Sequence, residues 1–352
     1  MFLKSVRVEN FKCIEDSNEF STDQVTCLVG KNESGKTALL QSLYKLNPDI
    51  PGEKNFEALL EYPRRKWSEY KERHKTSPDN VLTTVWELKE TDVEALEEKL
   101  GPDALKKTTV TVTKGYDNKR YWKIDIDEKR VIRHFLKSAE FYEEQLAELE
   151  KSETIAELVT KLEAIKSPSE QQSKLLSTLK KSFPDGSSVK VAENILEKRL
   201  PTFLYFSDYY ILPGQVSMQD LLKRKSENRM ESSHRVFLAL LNLVGTSPEE
   251  INQIGRFEAL VAELEAVSSR LSREIFEYWS QNKHLEVDFR FDNARPEDPQ
   301  PFNSGYIFRT RIKNLRHGVT VSFDERSAGF VWFFSFLVWF SQEYECRNPL
   351  TF

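Results

Sequence analysis

Residues 28–40 read LVGKNESGKTALL, a run of small and polar residues set between an apolar stretch and a helical one. Gly30, a four-residue gap, then Gly35-Lys36-Thr37 is the pattern in which glycines let backbone N–H groups curl around an anion. Such a loop draws on Gly30, Lys31, Asn32, Glu33, Ser34, Gly35, Lys36 and Thr37. Lys36 then reaches the β- and γ-phosphates of a nucleotide, and the Thr37 hydroxyl takes a place on Mg²⁺. Upstream, Gln24 to Val29 (QVTCLV) is predicted as a short buried strand. Downstream, Leu39, Leu40, Leu43 and Leu46 recur at helical spacing, so the phosphates are expected on a helix N-terminus, where free N–H groups and the helix dipole favour negative charge. The loop raises a question of its own: where the chain keeps the residues that would cut the nucleotide it holds.

Composition bounds the answer. The chain has 352 residues, room for one large domain or two of ordinary size, and its 51 basic against 56 acidic residues leave a formal charge of −5. No global field therefore draws it to nucleic acid. The three cysteines, Cys13, Cys27 and Cys346, form no CxxC pair, which points to a reducing, cytoplasmic compartment and away from a cysteine-built zinc site. The histidines are scattered singly. The N-terminus lacks the apolar core of a signal peptide, and the most apolar run, Phe330–Phe340 (FVWFFSFLVWF), is about half of what a bilayer span needs, so a buried helix is expected and a membrane partner is not.

Three segments follow from the patterning. Residues 1–130 are read as an N-terminal lobe with the phosphate loop and a β subdomain, in which Val81–Leu88 and Thr108–Ile126 are strands, the latter a hairpin turning at 115–118. Between these lies a helix, TDVEALEEKL, capped by Thr91 or Asp92. Residues 131–200 are rich in Glu, Lys, Leu and Ala at three-and-four spacing and read as a helical insertion broken at Lys166-Ser167-Pro168-Ser169. Residues 201–352 complete the second part of the lobe: a strand at Thr202–Phe206, a helical block from Met218 to Gln281, and strands at Leu285–Phe291, Tyr306–Ile312 and Val319–Phe323.

A second anion site is foreshadowed late in the chain. Asp324-Glu325-Arg326-Ser327-Ala328-Gly329-Phe330 joins a strand to the aromatic helix, with a serine placed to cap it and a glycine that lets another surface approach. Taken together, VENFKCIED, GKNESGKT, the helical insertion, YFSDYYILPG and ERSAGFVWFFSF resemble the ATPase part of OLD-family proteins, relatives of the RecF and SMC heads among ABC-type ATPases. The resemblance spans nearly the whole chain, although only the phosphate loop and the ERSAGF helix are specific. It implies an α/β P-loop NTPase of ABC-head type with an antiparallel β subdomain and an inserted helical arm, binding ATP and Mg²⁺. It implies a homodimer that sandwiches the nucleotide, with Ser327 and Gly329 reaching the γ-phosphate held by the other copy and Lys12 near the phosphates. It implies control of nucleic-acid processing, in repair or phage defence, through a nuclease domain beyond this chain. A nucleotide-dependent scaffold or sensor without a nuclease is the alternative.

The sequence departs from that pattern in places. RSAGF replaces the transporter form LSGGQ, and the residue standing for the Q-loop glutamine is open between Asp208 and Gln215. No apolar strand ending in Asp-Glu stands out, so the catalytic acids are unknown. Ile124–Glu128 and Val321–Glu325 carry acidic pairs but alternate like half-exposed strands. The run Asn348–Phe352 reads as the opening of an apolar strand, and the chain is expected to be the N-terminal portion of a longer protein. A GTPase reading lacks its Asn-Lys-x-Asp, since Tyr121 stands at the aspartate position after Asn118-Lys119-Arg120. A small-molecule kinase would not need the helical arm or the second glycine-bearing helix cap. Two basic clusters, residues 63–75 with interleaved aromatics and Lys223, Arg224, Lys225 and Arg229, are readable either as phosphate-tracking surfaces or as solvated helix faces.

Overall fold

In the computed structural model, the described residues are those outside 138–147, 207–209, 252–261, 263, 271, 274–283 and 348–352. The chain forms two compact units, Met1–Tyr205 and Phe206–Phe352.

The first unit is built on an antiparallel sheet. Strand β1 (Phe2–Phe11) pairs with β2 (Ile14–Asp16) and β3 (Phe20–Ser21) on one edge and with β4 (Asn80–Glu87) on the other, and the sheet continues through β5 (Thr109–Gly115) and β6 (Arg120–Lys123). Alternation sets its faces: Val6, Val8, Thr84, Trp86, Val110 and Val112 are buried, while their sequence neighbours are more exposed. The 115–118 turn is made as expected, with Asn118 in the left-handed region at φ 60° and its N–H bonded to the Gly115 carbonyl. The helix at Glu90–Leu100 is also present, but Lys89 is its cap. Asp92 stands at the third helical position and accepts from the Lys89 N–H at 2.9 Å, the reverse arm of a capping box.

Helices Glu128–Lys137, Ile155–Glu163, Glu170–Ser182 and Ser188–Glu197 follow, and their apolar stripes close on one another through Phe135, Leu158, Leu175, Leu179 and Leu196. Ser169 caps the third of these with a full capping box, the local reason the helical run restarts there. The last helix docks on the sheet edge: Glu197 pairs with Arg120 and accepts from Trp122 Nε1 at 2.9 Å.

Two expected strands are absent. Thr202–Phe206 makes only a single bridge, Pro48 to Phe203, where the chain is held by the Asp49 N–H on the Phe203 carbonyl. Gln24–Val29 is irregular and solvent-facing, with Val25 89% and Val29 91% exposed. Its composition suits a strand, but a strand exists by pairing its N–H and C=O groups with a neighbour, and among the described residues no strand comes alongside it.

The second unit centres on β9 (Tyr306–Asn314). One edge pairs along its whole length with β8 (Leu285–Asn293); the other takes β7 (Gln215–Ser217) and β10 (Val319–Ser322) end to end. Helices Met218–Ser226 and Ser232–Val244 belong to the same unit, and Phe237 packs on Phe308 at 4.9 Å between ring centroids. The apolar run at 330–340 lies in a helix, Ala328–Arg347, as its length demanded. Among the described residues no helix is long and apolar enough to cross a membrane. The architecture is α/β with antiparallel sheets.

Candidate functional site

The loop at 30–37 closes on itself before the first helix, Lys36–Tyr44. The two glycines differ in how tightly the loop demands them. Gly35 caps the helix at φ +92°, in the left-handed region, and a Cβ on it would press on Cys13 Sγ and Ile14 Cγ1 at 3.3 Å. Gly30 faces Ser34, whose Oγ would lie 2.9 Å from an added Cβ. Glu33 also takes a positive φ of 65°, completing the curl. The Lys36 ammonium folds back across the loop, donating to the Gly30 carbonyl at 2.8 Å and the Lys31 carbonyl at 2.6 Å. The cation is thus already held over the hollow that the backbone surrounds.

That hollow, about 540 Å³, is lined by Asn32, Glu33, Ser34, Gly35, Lys36, Thr37, Ala38 and Gln41 from the loop and helix, and by Lys12 and Cys13 from the turn after β1. Lys12 sits at φ +54°, its N–H on the Glu61 carbonyl and its Nζ on Gln41 Oε1, both at 2.5 Å. The sequence-expected loop residues and Lys12 are therefore brought to one place. Cys13 and Gln41 were not anticipated, although both were legible: Cys13 follows Lys12, and Gln41 lies one helical turn past Thr37.

The far end of the same helix is pinned from below. Lys114, buried in β5, donates to the carbonyls of Lys45 at 2.6 Å and Lys54 at 2.7 Å. Burial, helped by the nearby Arg120, Lys54 and Lys45 charges, pushes its ammonium down to about 8.

In the second unit, the ERSAGF segment opens the helix as a capped start. Ser327 Oγ accepts from the Phe330 N–H at 3.4 Å and the Ser327 carbonyl takes the Val331 N–H at 3.0 Å. Phe323, Phe330 and Phe334 are fully buried and fix the helix in place, while Ser327, Ala328 and Gly329 face solvent. Nothing lies within 4 Å of a Cβ built on Gly329.

The acidic pairs give no hydrolytic pair. Asp324 Oδ1 accepts from the Gly214 N–H at 2.9 Å and crowds the position of a Gly214 Cβ, so this carboxylate anchors the 210–215 segment. Glu325 is exposed on a short 3₁₀ turn instead of ending a buried strand. Asp125 lies exposed beside Lys107 at 3.5 Å. Of the two residues weighed for the Q-loop place, Gln215 begins β7 and Asp208 lies outside the described residues, as does Asn348–Phe352. Among the described residues no group of His, Cys, Asp and Glu could by itself hold a metal ion.

Both basic clusters are paired in part, while Arg64 and Arg65 stay exposed, Arg65 no nearer to Glu15 than 3.9 Å. Tyr70 is buried and stacked on Tyr62 at 3.9 Å, Lys66 pairs with Glu15 at 3.0 Å and Arg73 with Asp79. The rings of residues 63–75 thus serve the core and are not free to stack on bases. Arg224 holds Asp220 and Glu231, and Lys225 holds Glu249, each at 2.7 Å.

Residues 1–209 match the family model described as the AAA ATPase domain, more than half of the chain. No curated protein matches it. Among solved structures, the crystal structure of the SmcHead bound to the C-winged helix domain of ScpA aligns with 99% of this chain and 78% of its own at 13% identity and a TM-score of 0.34, too loose a likeness to transfer any residue.

Proposed function

Because the chain belongs to the AAA ATPase domain family, we propose that it is the ATP-binding module of an ABC-type ATPase that pairs with a second copy on ATP and thereby governs nucleic-acid processing by a nuclease domain outside this chain. The carrying observation is the preformed loop: Gly35 in the left-handed region where a side chain is strained, a helix N-terminus behind it, and Lys36 already held across the loop by the Gly30 and Lys31 carbonyls. In this reading Gly30–Thr37 cradle the phosphates, Lys36 supplies the positive charge, Thr37 offers a hydroxyl to Mg²⁺, and Lys12 adds a second cation at the rim. ATP fits the residues present, since Lys12, Lys36, Ser34 and Thr37 line the hollow at the start of a helix. Thr37 stands at the mouth, where water and phosphate oxygens complete the shell of a hard cation.

Ser327 and Gly329 are the surface offered to the nucleotide of a second copy. Their exposure, with no neighbour among the described residues to account for the glycine, supports that role. Turnover by residues 1–352 alone is expected to be slow, because among the described residues the only carboxylate lining the hollow, Glu33, belongs to the loop itself and has no acidic partner there to share the tasks of holding Mg²⁺ through water and orienting an attacking water.

Equilibrium binding of a labelled ATP analogue tests the reading. Lys36→Ala should abolish binding and leave the melting temperature nearly unchanged, since the lysine contacts only its own loop. Unchanged affinity would remove the phosphate loop from the account.

A further inference from the structure

The outward face of β8 and β9 carries a feature that the nucleotide site does not use. Along β9 the inward positions Phe308, Thr310 and Ile312 are buried, which turns Arg309, Arg311 and Lys313 to the other face. In register, Arg290 of β8 stands directly opposite Arg309, and Asp288 opposite Arg311. Like charges placed directly across a strand pair are destabilising, so the Arg290–Arg309 juxtaposition works against the sheet that carries it. Arg290, Arg309 and Arg311, with Asp292 and Asn293 at the end of β8 and Arg295 and Asp298 from the loop after it, line a hollow of about 500 Å³.

The local carboxylates do not neutralise it. Four arginines meet two aspartates in the lining, a positive excess on a chain whose net charge is −5. Asp288 is taken by Arg290 at 2.7 Å. Arg309 meets Asp292 through Nε at 3.3 Å and Asp298 through a terminal nitrogen at 3.8 Å, and Lys313 pairs with Glu286 at 3.6 Å. Arg311 spends one terminal nitrogen on the Thr320 carbonyl at 3.2 Å. Arg311 Nε is buried without a hydrogen bond, although Nε–H with a neighbouring terminal N–H is the fork that grips a phosphate, and Arg309 Nε has an ion pair with Asp292 but no hydrogen bond. Arg295 is exposed on its loop and makes no ion pair among the described residues.

We propose that this face is a phosphate-binding surface that takes the sugar–phosphate backbone of a nucleic-acid strand. Arginine forks match phosphate oxygens, and unfilled donors are what such a ligand would satisfy. A polymer is favoured over a single phosphate because the basic residues form a row: same-face positions on a strand recur every ~6.6–6.8 Å, which sets Arg309, Arg311 and Lys313 along a line instead of around a point. Among the described residues no aromatic ring lines the hollow for a base to stack on, so binding is through phosphates and indifferent to sequence. The choice of polymer rests on the nucleic-acid part of the reading above; the phosphate chemistry stands without it.

The test is fluorescence anisotropy of a labelled oligonucleotide against the purified chain over a range of salt, with ATP-analogue binding and a melting curve measured on each variant. The expected result for Arg309→Ala with Arg311→Ala is an affinity loss of at least about tenfold at physiological salt, and a slope of log K on log salt shallower by about 1.4–1.8, the loss of two phosphate contacts. Arg→Lys at both positions should keep the slope and lose part of the affinity. Arg295→Ala, which removes no internal contact, should flatten the slope by about one contact with an unaltered melting curve, and so decides the matter even if the double variant folds poorly. ATP-analogue binding should stay at the wild-type level throughout. No oligonucleotide binding by the wild type, or an unaltered slope in Arg295→Ala and the double variant, overturns the inference while leaving the nucleotide reading intact. Inorganic phosphate displacing the oligonucleotide at equal concentration would assign the hollow to a small phosphate ligand and overturn the polymer.

Discussion

The chain has two glycine-bearing helix starts, and they use glycine in opposite ways. At the start of helix Lys36–Tyr44, Gly35 is forced by its own fold: its φ of +92° and the atoms of Cys13 and Ile14 leave no place for a side chain. At the start of helix Ala328–Arg347, Gly329 has helical neighbours, ordinary geometry and nothing within 4 Å. A glycine there costs a helix up to about 1 kcal/mol relative to alanine, with no internal gain to offset it. One glycine shapes a cradle; the other keeps a surface bare. The difference shows how a functional glycine can be recognised, by asking whether the chain itself has a use for it.

Substitution can break that contrast. Gly35→Ala should be the most damaging change, destabilising the first unit by about 1–3 kcal/mol through backbone strain and abolishing ATP-analogue binding with it. Thermal melting beside a binding isotherm measures both, and a variant that melts and binds like wild type would mean the loop is not conformationally bound to glycine.

Close behind comes Asp324→Ala, which leaves the Gly214 N–H without its acceptor and should cost about 1–2 kcal/mol in chemical denaturation. Glu325→Gln, on an exposed side chain, should change neither stability nor phosphate release. A turnover lost on Glu325→Gln with ATP binding retained would restore this pair as the catalytic acids.

At the far end of the loop helix, Lys114 supplies a pH dependence of defined sign. Its folded value of about 8 lies below its ordinary value of 10.5, so between these the unfolded chain holds a proton that the folded chain has released, and stability contributed by this group rises with pH across that window. Over pH 8 to 10 the wild type should gain on the order of 1 kcal/mol relative to Lys114→Met. Parallel profiles for the two proteins would show that the ammonium is not driven down by burial.

The smallest effect on stability is expected from Gly329→Ala, neutral or stabilising by at most about 1 kcal/mol. Its consequence should lie elsewhere, in loss of ATP-dependent self-association measured by light scattering or sedimentation. If self-association survives the methyl group, the bare helix start is not a meeting surface.

Much of this was legible beforehand, for reasons that can be named. The phosphate loop is local: two glycines, a lysine and a threonine at set spacing dictate the backbone curl with little help from outside. The β4 strand and the β5–β6 hairpin were legible because alternation and a left-handed Asn118 specify a half-buried ribbon. The strand predicted at Gln24–Val29 failed on a different ground. Alternating apolar residues state a capacity to pair, and pairing needs a second strand that no local pattern supplies. Thr202–Phe206 failed likewise, its pairing reduced to one bridge with Pro48.

By itself the amino-acid sequence determined the loop at 30–37, the helix that follows it, the capped aromatic helix at 328 and the alternating strands, because each is governed by interactions within a few residues of chain. Only the tertiary structure decided that Lys12, Cys13 and Gln41 share the loop's hollow, that Asp324 accepts from the Gly214 N–H, that Tyr70 is buried against Tyr62, and that Arg290 stands opposite Arg309. Those are facts of register and burial. They depend on which strand lies beside which, a choice made by the whole chain in minimising exposed apolar surface and unpaired backbone, and so they are written in no single stretch of it.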